Sequence, residues 1–92
     1  MTLSFAVLGA GRIGKVHAAA IAATPGARLA AVADAIAPAA EALAAEHGCA
    51  VRTLDEIETA GGIDAVVICT PTDTHADLIE RFARAGKAIF CE

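Results

Sequence analysis

LSFAVLGAGRIGKVHA, residues 3–18, decides how this chain folds. An apolar run from Leu3 to Leu8 passes directly into Gly9-Ala10-Gly11-Arg12-Ile13-Gly14, and that turn opens an Ala-rich stretch at helical spacing. A G-x-G-x-x-G pattern alone is weak, but between a strand and a helix each glycine has a physical task. Gly9 permits the tight turn, Gly11 leaves bare backbone where a pyrophosphate must approach, and Gly14 lets helix and strand pack closely. The first helical N–H groups, those of Arg12 and Ile13, then face the phosphates, where the helix dipole favours negative charge.

Outward from this turn, short β-branched or apolar runs alternate with longer helical stretches, without repeat or linker. Such alternation marks βαβ units around a parallel sheet. From Arg12 to Ala23, residues Ile13, Val16, Ala20 and Ala23 fall on one face, the kind of apolar face a helix turns to a core. Thr24, Pro25 and Gly26 end that helix, and Arg28 to Ala33 reads as a second strand. A second helix is expected from about Pro38 to His47, with Gly48 as its stop, and then a short strand around Val51. A helical turn at Asp55 to Glu58 precedes the Gly61-Gly62 break. Ile63 to Cys69 reads as a fourth strand buried on both faces and bounded by Pro71. His75 to Ala85 reads as a helix with Leu78, Ile79, Phe82 and Ala85 on one face and a Thr74–Asp77 N-terminal cap. Gly86 closes it, and Lys87 to Cys91 begins a fifth strand. Right-handed crossovers place the strands in the order 3-2-1-4-5. Residues 1–92 are thus expected to form one three-layer α/β domain of Rossmann type, the N-terminal part of a nucleotide-binding unit.

Composition agrees with this architecture. Of the 92 residues, 57% are hydrophobic but only 3% aromatic, so the core must be thin, with helices lying close on the sheet. The net charge of -4 and the scattered Lys and Arg argue against nucleic acid as a partner. Arg12, Lys15, Arg28 and Asp34 interrupt the Ala-rich first third, so no membrane span is expected there, and the start lacks the basic leader of a signal peptide. A cytoplasmic location is the expectation. Cys49, Cys69 and Cys91 lie some twenty residues apart, which suits buried free thiols better than a disulfide framework or a metal site. His17 and His47 have no acidic or Cys cluster near them in sequence and are given no functional role.

Two further elements point to the cofactor. Asp34 ends the second strand, twenty residues beyond Gly14, where a carboxylate accepts hydrogen bonds from the adenosine ribose. It would repel the additional phosphate of NADP, and Ala35 and Ile36 offer no cation to hold one, so NAD is the expected ligand. Thr70-Pro71-Thr72-Asp73-Thr74-His75 follows the fourth strand, beside the first strand at the topological switch point. Thr70 and Pro71 are expected to line the cofactor cleft. His75 shares a face with Leu78, Ile79 and Phe82, so it reads either as a cofactor-side group or as a packed or capping histidine.

GAGRIGKVHA at 9–18, VAD at 32–34 and VVICTPTDTHADLIERFARAGKAIFCE at 66–92 resemble the glucose-fructose oxidoreductase and inositol dehydrogenase family over essentially the whole chain. The resemblance implies a pyrophosphate loop at Gly9 to Gly14, a ribose carboxylate at Asp34, and the T-P-x-x-x-H stretch on Thr70, Pro71 and His75. It implies NAD-dependent oxidation of a secondary hydroxyl of a polyol or sugar to a ketone. The family's Glu-Lys-Pro signature would continue from Glu92, so its lysine, and the proton-relay residues of a second domain, are not among these 92 residues. No catalytic residue is expected within the chain, which by itself should not oxidise a substrate. A stand-alone NAD-binding or sensing module, or an enzyme acting on another sugar, are the alternatives. The fifth strand, left at a sheet edge, is expected to offer a self-association surface.

Overall fold

The computed structural model describes residues 2–91 and follows the expected alternation. Its elements are β1 (Leu3–Leu8), α1 (Arg12–Ala23), β2 (Ala27–Ala33), α2 (Ala37–His47), β3 (Ala50–Val51), α3 (Leu54–Thr59), β4 (Ala65–Ile68), α4 (His75–Arg84) and β5 (Ala88–Cys91). The strands form one sheet in the order β3-β2-β1-β4-β5, every pairing parallel. Side chains of successive strand residues alternate between faces, so each strand feeds two cores. Ala6, Leu8, Val66 and Ile68 meet Ile57, Leu78 and Phe82 on one side. Val7, Val32 and Val67 meet Ala18, Ile21, Ala40 and Leu43 on the other. Three layers result, with α1 and α2 on one face and α3 and α4 on the other.

Helix α1 is rotated away from its expected face. Gly14, Ala18 and Ile21 are the buried residues, whereas Ile13 and Val16 are 45% and 61% exposed and Ala20 and Ala23 are also exposed. The reason is steric. A Cβ on Gly14 would lie 1.8 Å from the backbone oxygen of Gly9. The helix therefore touches the turn backbone to backbone, that contact fixes its rotation, and the face that carries Gly14, Ala18 and Ile21 lies on the sheet.

Helix α4 lies on its core through Leu78 and Phe82 as its periodicity predicts, while Ile79 is exposed at the margin of that face. Its expected cap is not formed. A single 3-10 turn, Thr72–Thr74, runs into the helix, so Thr74 already has helical backbone angles and makes no capping bond. A side-chain cap needs an extended residue there. The capping box occurs instead on α3, where the Thr53 hydroxyl accepts the Glu56 N–H and the Glu56 carboxylate accepts the Thr53 N–H. The Arg81 guanidinium then ties α4 to α3 through Asp55 and Glu58.

The cysteines are less buried than expected. Cys49 and Cys69 are half-buried, and Cys91 is exposed because β5 has a neighbour on one side only. None of the three forms a disulfide. Among the described residues no group of acidic, His or Cys side chains could hold a metal ion, and no helix is long and apolar enough to cross a membrane.

Candidate functional site

The order of the sheet brings two loops together where β1 and β4 end. After β1 the chain turns toward α1, and after β4 it turns toward α4 on the opposite face, which opens a crevice between them. Gly9 sits at this junction with φ 105°, and a Cβ there would be 2.7 Å from the Cys69 carbonyl oxygen. Only glycine satisfies both the backbone angle and the closeness of the second loop. Above the junction lies a cleft of about 1020 Å³, bordered by the glycine turn, by residues 34–37, by residues 51–54 and by Cys69, Thr70 and Pro71.

At the start of α1, the Lys15 N–H donates to the Gly11 carbonyl. The N–H groups of Arg12, Ile13 and Gly14 precede that bond and have no partner inside the helix. Gly11 is the N-terminal cap residue and has no side chain to satisfy them. A Cβ on Gly11 would have nothing within 4 Å, and Gly11 borders the cleft. Bare amide donors, a positive dipole end and open space thus coincide, as a diphosphate requires.

Asp34 is held at the mouth of this turn. One carboxylate oxygen accepts the Ala10 N–H at 2.6 Å and the other accepts the Ile36 N–H at 2.8 Å. The Gly9 N–H donates to the Ala33 carbonyl at 2.7 Å, so the glycine turn and the end of β2 are joined twice. Each carboxylate oxygen retains a second lone pair for a diol in the cleft.

Beyond β4, the Thr74 hydroxyl donates to the Pro71 carbonyl and lies 2.6 Å from the Thr70 hydroxyl. His75 Nε2 lies 2.8 Å from the Thr70 carbonyl oxygen. The histidine braces the loop that carries Thr70 and Pro71. Of the residues singled out in the sequence, Gly9, Gly11, Asp34, Thr70 and Pro71 border the cleft directly. Arg12, Ile13 and Gly14 contribute backbone, and His75 stands behind the loop.

Ile36 borders the cleft beside Asp34, and Val51, Arg52, Leu54 and Glu56 form a far wall that no motif in the sequence marks. The Thr53-Leu54-Asp55-Glu56 box was readable as a helix start, but nothing local says that a two-residue strand will carry it to the cleft. Hydrogen bonds from Thr53 and the charge of Arg52 hold the Glu56 carboxyl below its ordinary value.

A parallel sheet of order 3-2-1-4-5 with an uncapped glycine turn and a carboxylate at the end of β2 defines a dinucleotide-binding domain of the Rossmann class. The family model of the oxidoreductase family with an NAD-binding Rossmann fold matches residues 3–92, and the chain belongs to that family. It is 73% identical over 92 residues to an inositol 2-dehydrogenase of Rhizobium meliloti strain 1021, covering all of this chain and 28% of the relative. A crystal structure from Sinorhizobium meliloti 1021 superposes with a TM-score of 0.96 at 72% identity, over 98% of this chain and 27% of the other. Scyllo-inositol dehydrogenase of Lactobacillus casei, solved with bound NAD(H) and scyllo-inositol, superposes with a TM-score of 0.90 at 31% identity, over 99% of this chain and 28% of the other. The chain therefore spans a little over a quarter of the length of these relatives.

Proposed function

We propose that this chain is the NAD-binding portion of an inositol 2-dehydrogenase, an enzyme that oxidises a secondary ring hydroxyl of myo-inositol to a ketone and works in the cytoplasm. The observation that carries the reading is the uncapped start of α1 beside the doubly anchored Asp34. The 73% identity with the Rhizobium meliloti relative supports the substrate class.

Bound NAD supplies the acceptor for the substrate's hydride. The chain's own part is to bind and orient. The amides of Arg12, Ile13 and Gly14 meet the diphosphate, with Gly9 and Gly11 leaving the approach clear. Asp34 accepts the adenosine ribose hydroxyls, and Thr70 and Pro71, braced by His75, form the wall beside β4. Hydride transfer also needs substrate and a proton acceptor held at reacting distance, about 3 to 3.5 Å. None of the 92 residues is assigned to that task, so the chain alone binds cofactor without oxidising inositol. The unpaired outer edge of β5 favours association between isolated copies.

Replacing Gly11 by Val tests the reading. Its φ of -81° suits any residue and its Cβ would meet no protein atom, so the fold is expected to be unchanged. Calorimetry should show NAD affinity lowered by about tenfold or more, the equivalent of losing one or two phosphate hydrogen bonds. Unchanged NAD affinity in a folded Gly11→Val chain would contradict it.

A further inference from the structure

Discrimination between NAD and NADP depends on what meets the adenosine 2′ position. Asp34 supplies a negative charge there, and the residues next to it in sequence supply no positive one. The sheet supplies one from elsewhere. Val32 pairs with Val51, so Arg52 follows in register opposite Ala33, one residue before Asp34. The Arg52 N–H donates to the Val32 carbonyl at 3.0 Å, which fixes this placement.

Arg52 is exposed, and it is the one cation among the described residues that border the cleft. The other charged side chains there are Asp34, Glu56, Asp73 and Asp77. Glu56 is held in place by its capping box with Thr53, and it lies within electrostatic reach of Arg52. Arg52 also borders a smaller groove of about 590 Å³ along the β2–β3 edge, so it stands on the ridge between the two.

The geometry points to Arg52 as a specificity-determining residue at the adenosine end of the cleft. It is the group that meets a 2′-phosphate, and Asp34 is the group that opposes it. Resting on the NAD-binding reading above, this makes cofactor choice a contest between two residues that each directly follow the end of one of two adjacent strands. Exclusion of NADP then depends on Asp34 alone, because the cation that an NADP site needs is already present. A guanidinium forms strong charge-assisted hydrogen bonds to phosphate oxygens, whereas the NAD ribose presents only neutral hydroxyls to it.

Calorimetric titration of wild type, Arg52→Gln, Asp34→Ser and the double variant with NAD and NADP tests this, with thermal melting as a check on folding. Wild type should prefer NAD. Arg52→Gln should weaken NADP by about tenfold and NAD by less than about threefold. Asp34→Ser should tighten NADP by about tenfold or more, and adding Arg52→Gln should remove that gain. Asp34 also anchors the Ala10 and Ile36 amides, so if its variant fails to fold, the NADP-to-NAD ratio in Arg52→Gln decides the matter. Equal losses for the two cofactors, or none, overturn the role of Arg52 while leaving NAD binding intact. Failure of wild type to bind NAD overturns the underlying reading and this inference with it.

Discussion

Helices α1 and α4 are packed on opposite faces of the same sheet by different forces. α4 is placed by hydrophobic burial: Phe82 is fully buried, Leu78 nearly so, and Asp77, Glu80 and Arg84 face outward. α1 is placed by a backbone contact, Gly14 against Gly9, which turns Ile13 and Val16 outward and leaves Ala18 and Ile21 on the core. The contrast extends to the ends of helices, since α3 satisfies its own first amides with Thr53 and Glu56 whereas α1 begins on a glycine and satisfies none. Where a helix serves only the core, its own side chains decide its position and its cap. At the start of α1, which we propose serves a ligand, the amides are left bare and the backbones lie close.

Substitutions should separate the two modes. The largest effect is expected at Gly14→Ala, because a single methyl would collide with backbone that cannot rotate away. A loss of about 5 kcal/mol or more, comparable to the whole stability of a small domain, should appear as absence of a cooperative melting transition. Phe82→Ala removes a buried ring and leaves a cavity, and should cost about 3 kcal/mol by chemical denaturation while the fold survives. Val16→Ser lies on the exposed face of α1 and should change stability by no more than about 0.5 kcal/mol in the same assay. A Val16→Ser loss as large as that of Phe82→Ala would mean that α1 is buried through the face its hydrophobicity suggests, and the contrast would fail.

Strand order and element types were legible because the alternation of apolar runs and helical stretches, together with right-handed crossovers, admits few arrangements. The glycine turn and Asp34 were legible because their spacing reflects a fixed geometry between the first two strands. The rotation of α1 was not, because periodicity counts apolar residues and cannot register that a missing Cβ outweighs Ile13 and Val16. Thr74 was misread as a cap because the 3-10 turn before it has no marker of its own in the sequence. Arg52 carries no local signal, because its place opposite the end of β2 comes from pairing with a strand only two residues long. The reading of Ala35 and Ile36 as lacking a cation was correct for the sequence neighbours and incomplete for the space around them.

The claim on which the account rests is that the open amides of α1 are reserved for the diphosphate of a dinucleotide. Amide proton–nitrogen spectra of the labelled chain during titration with NAD test it most directly. Saturable shifts are expected at Arg12, Ile13 and Gly14, accompanied by Ala10 and Ile36 through Asp34, with α4 beyond Phe82 unmoved. Saturation by NAD with residues 10–14 unshifted would contradict it.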